Sequence, residues 1–565
     1  MLFVSAFPPS LRSRSRLPRR NRLTWLALLG LAVATVAPFV FADHRTAGLA
    51  ANTLLLAGVT VGLSVPLGST IALVLVRTDL PCRRLLGGLL AGFLFLPLYV
   101  QAGAWQAAFG LEGWATMLRT GPAWLAGWRG AVWVHTVAAV PWVVLFVAAG
   151  LRRVERELEE DALLDAGPPT VVCRVTLPRA RGAVAVAALW VALTTAGEMA
   201  VTSFFQVRTY ADELFTEYAL GDVPLDDLAN DSLLARVAAV VGIPPGVLQG
   251  IATSGWAVFA ALLFLVAVSP LGRAASQTAP LVFIWKRGRW LALTAAIALA
   301  ALLLLLPLAS LAWKAGVLVS ETATGRQRTW SLEKCLTLIA SSPHRYRREL
   351  GWSLLIDGVA ASTAVAIAFP LAWLGRGGTR RAWLAIASVG WLLAVPGPVI
   401  GLSIIAAMNC PEVPWLVELY DRSIAAPLLA TVAHALPLAM LVLWPSLRSF
   451  PQESIESAAV DGAGLWTRWW RIVLPQRWAA LATAWLVAFA WSLGELDAGI
   501  LVTPPGVETL SIRIFRLLHF GVDDQVAGVC LAFYLAVQAV AAAAWWLAGG
   551  RRDTNLQPHR SPIVR

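Results

Sequence analysis

Four ionisable side chains occupy matched places in otherwise apolar stretches: His135 and His434 lie 299 residues apart, Glu198 and Glu495 lie 297 apart. A carboxylate at the edge of an apolar run is costly and marks a candidate functional site. Two uses are open for the glutamates: attracting or transiently coordinating a cation, or capping and orienting helices at a water interface. Two are open for the histidines as well, metal contact or neutral hydrogen bonds between helices. No metal site is assigned, because Cys82, Cys173, Cys335, Cys410 and Cys530 are scattered without a C-x-x-C spacing. No cluster of nucleophile, base and acid appears, so the expectation is a protein that is not an enzyme. The three lysines, Lys286, Lys314 and Lys334, are not followed by Ser or Thr, which removes a phosphate-binding Walker A loop.

The elements that position these groups follow from composition. Of 565 residues, 58% are hydrophobic and 14% charged, against roughly 25% charged in soluble domains. That is too little charge to coat soluble domains and too much apolar content for disorder. Uncharged runs long enough to span a bilayer, about 20 residues each, fall at 23–42, 46–76, 85–111, 130–151, 182–197, 255–272, 290–313, 382–408, 423–447, 478–494 and 525–550, with 352–375 broken only by Asp357. Twelve spans place both termini on one side. Lys and Arg number thirty in the loops on the side of the termini and fifteen on the other, which makes both termini cytoplasmic. The net charge of +12 is thereby explained without nucleic acid. The first apolar run is too long for a usual signal peptide and reads as a retained anchor.

The chain repeats itself. Residues 159–178 (EEDALLDAGPPTVVCRVTLP) and 456–475 (ESAAVDGAGLWTRWWRIVLP) share eight of twenty positions at an offset of 297, and Gly197-Glu198 matches Gly494-Glu495 at the same offset. The expectation is an all-α polytopic membrane protein of about twelve transmembrane helices in two tandem, parallel six-helix halves. Its organisation would be an Arg-rich N-terminus (1–22), a first half (23–275), a linker (276–289), a second half (290–550) and a tail (551–565). Each repeated loop predicts a short helix opened by its acidic residue, Glu159 or Glu456. Small residues there (Ala166, Ala458, Ala463) permit close approach to another surface. Gly462 and Gly464 in the second copy, and Asp165 and Gly167 in the first, would turn the chain, with Asp461 just before. Pro178 and Pro475, each after a leucine (Leu177, Leu474), would open the next span. Such a turn is suited to docking, or is an ordinary inherited loop.

The pattern E-x5-G-x9-I-x-L-P, carried by Glu456, Gly462, Ile472, Leu474 and Pro475, resembles the cytoplasmic EAA loop of binding-protein-dependent ABC transporter permeases. The first copy matches with Glu159, Val175, Leu177 and Pro178 but has Asp165 in place of glycine. The double length looks most like the fused ferric-iron or thiamine import permeases. The resemblance implies that Glu159–Gly167 and Glu456–Gly464 couple to two copies of an ATP-binding subunit, which would bind ATP and Mg; no cofactor is expected in this chain itself. It also implies a periplasmic or extracellular substrate-binding protein and an inner-membrane location. Ferric iron is the expected solute on the fused architecture and paired glutamates. Thiamine, sulfate or a polyamine are alternatives, and a secondary transporter is a further one.

Other features fit either a pathway or kinks that serve packing. Pro396-Gly397-Pro398 in span nine, with Pro97 in span three, predicts broken or kinked helices. Asp357 is expected near an outer span end or paired. The acidic stretch 206–255 is expected to meet a binding protein, to concentrate a cation, or simply to be solvated.

Overall fold

The computed structural model describes residues 44–220 and 281–549, apart from 82, 112, 118–121, 284–287, 323–324, 378–380, 383–384, 386–388, 390, 394 and 410–412. The N-terminal segment 1–22, the expected spans 23–42 and 255–272, most of the linker and the tail 551–565 lie outside them.

Among the described residues, eight helices are long and apolar enough to cross a membrane, and nine if one bent pair counts as a single span. In the first half these include α1 (His44–Arg77), α4 (Gly127–Leu151) and α6 (Leu177–Gly197). In the second half their counterparts are α10 (Arg347–Leu374), α12 (Ala425–Arg448) and α14 (Leu474–Ser492). Each trio packs all against all, α1 on α4 and α6, α10 on α12 and α14. The duplication seen in the sequence is therefore a duplication of packing. The halves also interlock. α8 (Leu306–Gly316) lies on α3 (Leu98–Phe109), and α15 (Asp524–Gly549) lies on α2 (Arg83–Phe93), so outer helices of the second half cover the first.

The proline breaks are present. α2 and α3 meet at Pro97 with a bend of 106°. In the second half α11 (Gly397–Met408) starts directly after Pro396. Two expectations need correction. The short spans expected at 182–197 and 478–494 are long helices of 30 and 28 residues, Pro168–Gly197 and Leu465–Ser492. Pro178 and Pro475 accordingly do not open those spans. Each follows a five-residue π-helical turn, Val172–Thr176 or Trp469–Val473. A proline inside a helix lacks one donor and crowds the carbonyl four residues back. The wider turn relieves that clash and lets the helix run through.

The stretch between spans seven and eight holds a hairpin of β1 (Val317–Thr322) and β2 (Gly325–Trp330), then α9 (Leu332–Arg345), whose Ser331 side chain caps its N-terminus. Lys334 ties α9 to Asp524 at 2.6 Å. In the other long loop, α7 (Tyr210–Leu220) packs on α1 and α11. Its Glu213 is held by Arg45 and by Arg208.

Candidate functional site: a cavity between the halves and two turns at one face

Gly197-Glu198 and Gly494-Glu495 end the long helices of the two trios and face the opposite half's proline break. A Cβ on Gly197 would lie 3.4 Å from Pro396 Cα, and one on Gly494 would lie 2.8 Å from Pro97 Cγ. Each half thus inserts a glycine against the other half's broken helix. Trp142 and Trp491 meet edge-to-face at 5.7 Å across the same joint.

Behind this crossing is a cavity of about 190 Å³ lined by residues of both halves. All four side chains singled out in the sequence line it, joined by Asp497, Gln101, Trp142 and Trp491. The pairing is within each half: His135 Nε2 lies 3.4 Å from Glu198 Oε2, and His434 Nδ1 lies 3.5 Å from Glu495 Oε1. The glutamates also cap helices. Glu198 Oε1 accepts the Val201 N–H at 2.8 Å, and Glu495 Oε1 accepts that of Ala498 at 2.9 Å. In each half one carboxylate orders the turn after its own helix and fronts the cavity.

Gln101 Oε1, His135 Nε2 and Glu198 Oε2 are buried without a hydrogen-bond partner. Unsatisfied buried groups carry a desolvation cost, and here they surround open space. Asp497 escaped the sequence reading because it has no mate in the first half, where position 200 is alanine. Its backbone approach to Gly397, whose added Cβ would meet Asp497 Cβ at 2.3 Å, explains why that position is glycine. Among the described residues no three His, Cys, Asp or Glu side chains are arranged to hold a metal ion. Asp357 is not near a span end: it lies buried inside α10, lining a smaller pocket with Glu495, Thr431 and Ser511.

At the opposite ends of α6 and α14 lie the repeated turns. The second starts with α13 (Gln452–Val460). Its end is a Schellman turn: Gly462 N–H donates to Ala459 O at 3.1 Å and Ala463 N–H to Ala458 O at 2.9 Å, with Gly462 left-handed at φ +78°. In the first, α5 (Arg156–Asp165) ends instead with Ala166 extended at φ −145°. The expectation that Asp165 adopts the left-handed role is corrected: an aspartate enters that region at a cost, and the chain turns without it. Glu159 lies in the first turn of its helix, as expected, whereas Glu456 lies in the middle of α13, whose first turn carries Glu453.

The two glutamates differ further. Glu159 is wholly buried, accepting from Arg77 Nη1 at 2.7 Å and from the Thr176 hydroxyl at 2.7 Å. Burial pushes its carboxyl above the usual range, while Thr176 and Arg77 pull it back. Glu456 is exposed and accepts only a 3.2 Å bond from Gln452 among the side-chain bonds described. Large apolar side chains stand out on both turns, Leu164 at 85% exposure and Val460 at 88%, with Trp466 beside the second.

A duplicated helical membrane protein with a cavity at the joint of its halves and paired turns at one face has the build of a transport permease. The family described as binding-protein-dependent transport system inner membrane component matches residues 361–547. The chain is 30% identical over 207 residues to the putrescine transport system permease protein PotI of Escherichia coli (strain K12), covering 35% of this chain and 71% of that protein. It is 27% identical over 119 residues to the alpha-glucoside transport system permease protein AglF of Rhizobium meliloti (strain 1021), covering 21% of this chain and 35% of that one. It is 32% identical over 99 residues to the spermidine/putrescine transport system permease protein PotC of Haemophilus influenzae, covering 18% and 38%. No solved structure matches. The chain belongs to the binding-protein-dependent permease family: it is a membrane component of an ABC transporter and a transport protein rather than an enzyme. Membership implies an ATP-binding subunit and a substrate-binding protein as partners.

Proposed function

We propose that this chain supplies both halves of the translocation pathway of an ATP-driven importer and carries a small organic cation through the cavity between them. Both termini would be cytoplasmic, two ATP-binding subunits would seat on the turns 159–178 and 456–475, and a binding protein would deliver solute from the opposite face. The observation that carries this reading is the meeting of both halves' glutamates, Glu198 and Glu495, with Asp497 in one cavity. Carboxylates facing a cavity inside a membrane attract positive charge. Trp142 and Trp491, which also line the cavity, supply aromatic surface of the kind that attracts an ammonium group.

Ferric iron, expected on the fused architecture, gains no support from the relatives, whose names speak of putrescine, spermidine and alpha-glucosides. A hard trivalent ion also calls for several converging ligands, whereas Glu198 spends one oxygen on a helix cap and Glu495 accepts backbone N–H groups of Ala498 and Gly499 with both. A diamine needs only separated negative charge and aromatic surface.

Reconstitution with the ATP-binding subunit and binding protein tests this, using labelled putrescine, an alpha-glucoside and ferric iron in parallel. Uptake of putrescine, reduced at least several-fold by Glu198→Gln and Glu495→Gln, is the expected result. The amide oxygen still accepts the capping N–H groups, so folding is retained. Preference for the glucoside or iron, or putrescine uptake indifferent to both substitutions, refutes the substrate assignment.

A further inference from the structure

The repeat places an arginine at the end of the first long helix in each half, Arg77 on α1 and Arg376 just past α10, at an offset of 299. Both hold the carbonyl that precedes the repeated turn. Arg77 Nη2 donates to Leu151 O at 2.6 Å, and Arg376 Nη2 donates to Phe450 O at 2.9 Å, again at an offset of 299. Beyond this shared bond the halves part. The other arm of Arg77 reaches Glu159 at 2.7 Å with both side chains fully buried, and Leu281 O at 3.2 Å. Arg376 instead lies over Trp373, 4.6 Å from the ring centroid. It reaches the second turn through Gln452, at 3.5 Å, and Gln452 in turn donates to Glu456.

We infer that the two turns present different faces to the ATP-binding subunits: the first has its motif glutamate bolted to its own half by the Arg77–Glu159 pair, and only the second offers its motif glutamate, Glu456, to a basic side chain of the partner. A carboxylate enclosed by Arg77 and Thr176 has no free path to another protein. Glu456 stands in solvent one turn before the exposed Val460 on the same helix, where an incoming apolar surface would desolvate and strengthen its pairing. The Leu281 carbonyl adds the inter-half linker to the same bolt, so the first turn is fixed to the chain crossing between the halves. The partner's contact with the first turn then falls on Leu164 and the exposed Glu157, Asp161 and Asp165, and not on Glu159. This inference rests on the reading of both turns as seats for ATP-binding subunits.

The test uses the full permease co-expressed with its ATP-binding subunit, scoring retention of that subunit through purification and the melting temperature of the permease alone. Glu159→Gln leaves the buried Arg77 cation unpaired, the costly way to break such a pair; it is expected to lower the melting temperature. The double substitution Arg77→Met and Glu159→Met removes both charges, the less costly way to break a buried pair, and although it also removes the donors to Leu151 O and Leu281 O it is expected to melt above Glu159→Gln and to retain the ATP-binding subunit. Glu456→Gln is expected to leave melting unchanged and to cut retention several-fold. A folded double variant that loses the subunit, or Glu159→Gln and Glu456→Gln losing it equally at unchanged melting, overturns the inference while leaving the docking reading in place. Retention that also survives deletion of the Leu164 and Val460 side chains, together with Glu456→Gln, overturns the docking reading itself.

Discussion

Replacing Gly494 by alanine probes the crossing between the halves more directly than any charged substitution. An added Cβ would sit 2.8 Å from Cγ of Pro97, while carbon atoms prefer about 3.5–4.0 Å. The shortfall is at least about 0.7 Å, and the neighbour is a ring that cannot rotate away. Overpacking of this kind costs typically about 1–3 kcal/mol, and here the relief available is a small separation of the two halves. The matched Gly197 supplies the control. Its Cβ would meet Pro396 at 3.4 Å, a near-ordinary contact, and Gly197 ends a helix, where alanine regains up to roughly 1 kcal/mol of helix propensity. Neither glycine has a positive φ, so backbone strain does not enter the comparison. The expected outcome in detergent is a lower melting temperature for Gly494→Ala and no decrease for Gly197→Ala. In reconstituted transporter, Gly494→Ala should also raise solute-independent ATPase activity, because the crossing no longer closes fully. Equal melting for the two variants, or a lower melting temperature only for Gly197→Ala, would show that the close packing of the glycines does not hold the halves together.

Gly462→Ala forces a left-handed residue to carry a Cβ in open space, so its cost is the backbone term alone, about 1–2 kcal/mol; Gly464→Ala, at φ −67°, should be nearly neutral, and melting curves of the pair check both.

The sequence disclosed this protein through its duplication. A fixed offset of about 297 tied Glu198 to Glu495 and His135 to His434 before any coordinate did, and the structure gathers all four around one cavity. Apolar runs located the long spans because lipid leaves a helix little compositional freedom. What stayed hidden depends on relations that one repeat copy does not share with the other. Asp497 has no mate, so self-comparison passed over it. The burial of Glu159 depends on Arg77, 82 residues earlier, and periodicity does not report on such distant partners. The charged stretches before Pro178 and Pro475 looked like loops because Arg174 and Arg471 interrupt the apolar run. A π-helical turn carries the helix through them, exposing arginine at the membrane edge while keeping the backbone bonded.

The same π-helical turn lies between each repeated turn and the cavity. Pro168–Gly197 and Leu465–Ser492 are continuous helices, each beginning in a repeated turn and ending beside a glutamate that lines the cavity. A displacement of either turn is therefore transmitted along about 28 to 30 residues, on the order of 40 Å at 1.5 Å per residue, without a flexible joint between. The π-helical turn lies near the start of each helix, so it sets how the turn meets the span and leaves the remainder stiff. If ATP-binding subunits seat on both turns as proposed, and the first turn is bolted by Arg77 while the second is not, equal pushes would act through unequal mounts. The first would move α6 together with α1 and the linker; the second could tilt α14 with less of its half in tow. Glu495 and Gly494, at the far end of α14, would then be the side of the crossing that travels, against a Glu198 and Gly197 that stay closer to their own half.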